Sequence, residues 1–335
     1  MLPVHNFSYG LLTPGLAVAM SFLGAFLGLR CTTRARAYSG ATRARWLVLA
    51  SVSIGATGIW VMHFIAMLGY TIPGHALRYN VPVTIASMLI AVGVVCVGLF
   101  IVGYGRDSFG GDGFARAGAS HGSPGRASFG RAGTRRLLLA GLITGIGVAS
   151  MHYTGMAALE VPLRMSYNPA LVGLSAIIAI VASTVALWAT LRLRGIWSTF
   201  GAALILAVAV SGMHYTGMAA MHMSADPADA HMVMSGATAE NFLLPLILGI
   251  SILTFIVTAT IALSPSDAEI HAEADLMRRI STARAAAGDP PAPQMPPAAA
   301  RRPVTAISRS VQARRQAAAE AEADRQLAAP ASTLR

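Results

Sequence analysis

Long runs of apolar residues alternate with short polar connections through the first 263 positions of the chain. A helix needs about 20 apolar residues to cross a bilayer. Seven runs meet that length: 10–30, 46–70, 81–104, 137–160, 169–191, 197–221 and 241–263. The pattern predicts an all-α, seven-transmembrane helix bundle over 1–263.

Two stretches break the pattern. Residues 105–135 are rich in Gly, Ser and Arg and are expected to form a flexible cytoplasmic loop. Residues 264–335 start with a short candidate helix and then become rich in Pro, Ala and charge, so a mostly disordered cytoplasmic tail is expected. Within the loop, Gly110-Gly111-Asp112-Gly113-Phe114 is superficially similar to the signature loop of diguanylate cyclases. It is degenerate, and the loop is too short to hold a catalytic domain.

Composition agrees with a lipid environment. Charged residues make up 12% of the chain, against about 25% in soluble domains. All 25 basic residues are Arg, and the net charge of +11 would fit nucleic acid if these formed a patch. They instead fall in the connections, all but Arg78 and Arg164 on one side of the expected membrane. The positive-inside rule then places the N-terminus outside and the tail in the cytoplasm, in a multi-pass protein of the bacterial inner membrane. No nucleic-acid role follows. The two Cys make neither a disulfide framework nor a thiolate site. No basic region precedes the first run, so a cleavable signal peptide is not expected.

The candidate chemistry lies in an internal repeat. The second run contains Met62-His63-Phe64-Ile65-Ala66-Met67. The fourth contains Met151-His152-Tyr153-Thr154-Gly155-Met156, and the sixth Met213-His214-Tyr215-Thr216-Gly217-Met218. The spacing predicts three two-helix repeats (46–104, 137–191 and 197–263) with an N-terminal helix in front. Residues four apart on a helix share a face, which pairs His63 with Met67, His152 with Met156, and His214 with Met218. One turn further out the same faces would carry Thr71, Glu160 and His222, a ladder toward the surface. The connection after the sixth run adds Met221, His222, Met223, Asp226, Asp229, His231, Met232 and Met234.

One membrane His commonly bridges helices, and one Met commonly fills a core. Three His at matched depth, each flanked by Met at two fixed offsets, point to metal. Imidazole with thioether suits copper, especially Cu(I). The candidate ligands are His63, His152 and His214 with Met62, Met67, Met151, Met156, Met213 and Met218. Tyr153 and Tyr215 could hydrogen-bond a bound ligand, and Gly155 and Gly217 are expected to serve close helix packing.

Met-His-Tyr-Thr, intact twice, resembles the MHYT family of bacterial membrane sensors over about residues 5–263. That resemblance implies a seven-helix module that senses oxygen, carbon monoxide or nitric oxide through bound copper. The first copy departs from it, with Phe64-Ile65-Ala66 in place of Tyr-Thr-Gly. The chain has no recognisable catalytic output domain, so it is expected not to be an enzyme and to signal through a separate cytoplasmic partner. Copper uptake or delivery is the alternative, and haem binding a second. Ladders confined to the outer half favour sensing over conduction.

Overall fold

A computed structural model describes residues 5–104, 131–193, 195–224 and 236–238, with further positions between 241 and 282. The chain divides into two compact units, Met1–Asp267 and Ala268–Arg335. In the first, six described helices are long and apolar enough to cross a membrane: α1 (Leu12–Ala35), α2 (Gly40–Leu68), α3 (Val81–Gly103), α4 (Arg131–Ala157), α5 (Pro169–Arg192) and α6 (Ile196–Ala219). This is a multi-pass membrane protein. The run expected over 241–263 lies mostly outside the described residues, and positions 252–254 within it are helical. The expected loop over 105–130 and nearly all of the expected tail also lie outside them.

Local signals start the helices at the end that carries the motif. Asn80 caps α3, its side chain accepting from the Val83 amide at 3.1 Å, and Pro82 follows. Asn168 caps α5, accepting from the Ala170 amide at 3.0 Å, with Pro169 as the first helical residue. Proline is tolerated there because the first amides of a helix have no helical acceptor.

The helices reach further at the opposite end than hydropathy alone predicts. Arg34 lies in the last turn of α1, Arg43 and Arg45 in the first turns of α2, and Arg135 and Arg136 inside α4. Residues 131–135 are therefore helical, not part of the expected loop. Arg is a good helix former and keeps its charge in water on a long stem. Its role here goes beyond orientation. Arg36 donates to the carbonyls of Leu191 and Leu193 at the end of α5, and Arg43 donates to that of Gly103 at the end of α3. These are terminal carbonyls that a helix cannot satisfy by itself.

Neighbours in sequence pack side by side, and α6 packs back against α1, so the six described helices close a ring. Its polarity is inverted relative to a soluble protein. Leu89, Ile177, Ile205 and Val208 are exposed on the outside, while Ser21, Thr84, Ser87, Ser175 and Ser211 are buried within. Alongside lipid, polar side chains belong in the interior. Three equivalent backbone bonds tie the helices at the motif end. The Ser8 amide donates to Gly69, Asn80 to Ala158 and Asn168 to Ala220, at 3.0, 2.8 and 2.8 Å. Each acceptor lies six residues beyond a motif His.

The fold is not purely α. Among the described residues, five short strands cap the motif end: β1 (Arg78–Tyr79), β2 (Leu159–Glu160), β3 (Arg164–Tyr167), β4 (Met221–Ser224) and β5 (Ala237–Thr238). They pair antiparallel as β2-β1-β5 and β3-β4. Because α2, α4 and α6 stop at Leu68, Ala157 and Ala219, the expected ladder through Thr71, Glu160 and His222 does not form. Thr71 bridges to His5, Glu160 lies in β2 and His222 in β4.

Replacing a cap should show which ties matter most. Asn168→Ala should cost about 1 kcal/mol, the usual value of a cap. Asn80→Ala should cost more, since its side chain also donates to Glu160 at 3.1 Å. Thermal unfolding of the two variants in one detergent checks the order.

Candidate metal centre

The three motif histidines come from α2, α4 and α6 and meet on the axis of the ring. His63 and His152 are fully buried, and His214 is 1% exposed. Their ring centroids are 4.9–5.1 Å apart, with rings nearly perpendicular in every pair. His63 Nδ1 lies 3.0 Å from His214 Nδ1 and 3.2 Å from His152 Nδ1. Among the described residues this is the one cluster of three or more His, Cys, Asp or Glu placed to share an ion.

Chemistry at this centre is constrained by counting. A neutral imidazole nitrogen carries either one N–H or one lone pair. His63 Nδ1 faces two other Nδ1 atoms and can make one good hydrogen bond, not two. A cation between the rings would satisfy all three lone pairs. Nitrogens about 2.0–2.1 Å from one ion at tetrahedral angles stand about 3.3 Å apart, close to the two separations observed. The donor set therefore fits a small ion.

The outward nitrogens are held differently from those of most metal sites, where a carboxylate or carbonyl accepts the second N–H. Nε2 of His63, His152 and His214 is buried without a hydrogen-bond partner among the described residues. Glycine sets the orientation instead. A Cβ on Gly155 would come within 2.5 Å of His63 Nε2, and one on Gly217 closer still to His152 Nε2. Each glycine is thus a notch for the imidazole of the preceding copy. Close packing is what the sequence leads one to expect at these positions, but the partner is a ring and not a helix backbone. Their shared offset of three residues after His is the signal the sequence carries.

All six motif methionines are buried, none more than 4% exposed. Tyr153 stacks edge-on against His152 and Tyr167, and its hydroxyl is engaged by Ser175 Oγ at 2.8 Å. Tyr215 packs between His214 and Phe7, its hydroxyl buried with no partner among the described residues. Of the two tyrosines, Tyr215 has the hydroxyl left to offer. Phe64 has no hydroxyl to place. Its ring fills a dry position between His63, Trp60 and Tyr79.

Sequence reasoning misses the closure above the triad. Glu160 accepts from Asn80 Nδ2 and from the Gly236 amide at 2.8 Å, and Arg78 donates to the Gly236 carbonyl. Burial pushes the Tyr70 phenol up to about 12 and raises that of Tyr79 as well, so both stay neutral in this cap. Asp226, Asp229, His231, Met232 and Met234 lie outside the described residues.

Residues 57–111 and 145–203 match the model of the MHYT family, described as the bacterial signalling protein N terminal repeat. His63 and His152 fall inside these segments and His214 outside. The chain is similar to the bifunctional diguanylate cyclase/cyclic di-GMP phosphodiesterase MucR of Pseudomonas aeruginosa, 33% identical over 218 residues, or 64% of this chain and 28% of the relative. It is similar to the cyclic di-GMP phosphodiesterase NbdA of the same organism, 36% identical over 185 residues, 53% of this chain and 20% of the relative. An uncharacterized signaling protein of Caulobacter vibrioides is 28% identical over 211 residues, 63% of this chain and 23% of the relative. The matched stretch is thus well under a third of each relative. No solved structure matches.

These relatives correct one expectation, that a chain without a catalytic motif is not an enzyme. Two proteins that share this membrane part are named for catalysis on cyclic di-GMP. A match confined to the membrane part says nothing about catalysis in either direction, so the negative reading has no support.

The notches make a sharp prediction. Gly155→Ala and Gly217→Ala should each destabilise the protein by about 1–3 kcal/mol, the usual cost of overpacking, and displace the imidazole they face. Gly173→Ala, where a Cβ meets nothing within 4 Å, should cost much less. Thermal unfolding with imidazole NMR of the three variants checks this.

Proposed function

We propose that this chain, which belongs to the MHYT family of bacterial signalling proteins, is a membrane sensor module that binds copper through His63, His152 and His214. One observation carries the reading: His63 Nδ1 faces two other Nδ1 atoms in a fully buried triad. The motif methionines supply soft donors around it, with Met67, Met156 and Met218 one turn from the imidazoles. Hard cations such as magnesium and calcium want several oxygen ligands, which the motif faces lack. Copper so held supplies an affinity for oxygen, carbon monoxide or nitric oxide that side chains alone do not have.

The protein's own contribution is mechanical. The triad joins the ends of α2, α4 and α6, so drawing the imidazoles together or letting them part moves three helices against one another. The positive-inside bias supports an orientation with the motif end outside and the opposite end in the cytoplasm, where a signalling partner reads the helices. We take the full module to be seven helices with three two-helix repeats. The three equivalent amide bonds to Gly69, Ala158 and Ala220 support a threefold repeat.

Copper uptake or delivery uses the same triad and is the second reading. Haem fits less well, because three imidazoles in mutual contact leave no space for a macrocycle between them.

Metal analysis of the purified protein tests this. Wild type should hold one copper per chain. Each single His→Ala variant should weaken binding by about tenfold or more, since even outer partners of a ligand are worth 10- to 100-fold, and the triple variant should hold none. His231→Ala should retain the ion. Occupancy should fall as pH is lowered, because protons compete for the same lone pairs. Unchanged copper content in a folded triple variant would overturn the proposal.

A further inference from the structure

On the side of the triad away from the cap lies a cavity of about 50 Å³. Ile59, Val148 and Val210 each precede a motif His by four residues, and all three line it. Residues at that spacing lie on one helix face, so the cavity continues the axis on which the imidazoles meet. Every described membrane helix contributes to its wall, including Ala25 of α1, Leu99 of α3 and Ala182 of α5. Met213, next to His214 in sequence, joins the cavity to the triad.

The lining is almost entirely carbon. Of its four hydroxyls, Thr190 is spent on the Leu187 carbonyl and Thr144 on that of Val94, which leaves Ser21 and Ser183. A buried water needs two to four polar partners and an ion needs more, so two hydroxyls in a carbon wall suit neither well. That also disfavours metal passage along the axis. An apolar cavity of about 150 Å³ stays dry and takes up benzene or xenon. At a third of that size, the cavity has room for a single heavy atom or a diatomic molecule and none for an acyl chain.

The approach is set by what surrounds the chamber. Buried imidazoles and the strand cap close the motif side, and the outer faces of the helices are apolar, as suits hydrocarbon, where small apolar molecules concentrate. We infer that the axial cavity is a binding site for one small apolar molecule, of xenon or diatomic size, which meets the triad from the cavity side and not through the strand cap. Its part in sensing rests on the copper reading above; its existence does not.

Xenon is the probe. The full chain, in lipid nanodiscs and labelled at its methionine methyls, is equilibrated with rising xenon pressure. The Met213 methyl resonance should shift and saturate. Ala179→Leu and Ala182→Leu fill the cavity with carbon, and each should abolish the shift while leaving the copper content unchanged. Val148→Ala, which enlarges the cavity, should bring saturation to lower pressure and guards against a filled variant that fails to fold. No saturable shift in wild type, or one unchanged in both filled variants, overturns the inference. Saturable xenon binding in a folded wild-type protein that takes up no copper when copper is supplied would overturn the metal reading and leave the cavity standing.

Discussion

Nitrogen atoms buried at membrane depth have few partners, because the surrounding hydrocarbon offers none and the backbone of each helix is already paired. The three motif imidazoles have been placed where their inner nitrogens find chiefly one another. Much of the rest follows from that. For three rings to meet, the ends of α2, α4 and α6 must approach more closely than ordinary side chains permit. Gly155 and Gly217 make the room. The strand pairs then cover this end, with Leu159 of β2 and Met221 and Met223 of β4 buried.

The threefold character holds most firmly where the backbone does the work. Amides from Ser8, Asn80 and Asn168 find carbonyls at one offset from each His, although the three donors differ in side chain. Side chains depart from it in the first copy. Phe64 replaces Tyr beside Trp60 and Tyr79, and there Ser87, seven residues after Asn80 as Ser175 is after Asn168, takes a hydrogen bond from the Trp60 indole at 3.0 Å instead. Ahead of His63, α2 also widens into a π-helix over Ser53–Val61. Such segments frequently mark functional sites, and here the widening ends two residues before His63 of the triad. The equivalent stretches of α4 and α6 are regular α-helix.

Hydropathy makes the six described spans legible, because lipid rewards one property over about 20 consecutive residues. Period four makes the shared face of His and Met legible for the same local reason. Helix ends are harder. Charge alone assigns the Arg residues to loops, yet Arg36 and Arg43 belong to helix termini and bond carbonyls of helices far away in sequence. The outer ladder fails because it extrapolates the helix past Leu68, Ala157 and Ala219, where strand pairing with distant segments takes over. Those pairings, and the imidazole-to-glycine contacts, join residues on the order of 60 to 90 positions apart. No local period encodes them.

Charge ties the cap to the chemistry below it. Glu160 is the acidic residue nearest in sequence to any motif His, and both of its oxygens accept hydrogen bonds within the cap. The remaining donors at the triad are imidazoles and thioethers, all formally neutral. An ion there keeps its full charge in a low-dielectric surrounding, and the cost of burying it grows with the square of that charge. A divalent ion would meet about four times the penalty of a monovalent one, with no carboxylate to offset it. On the proposed metal reading, that asymmetry favours Cu(I) over zinc, whose centres commonly keep an acidic partner. A neutral donor set is a poor trap for the common divalent cations and a good one for a soft, singly charged ion.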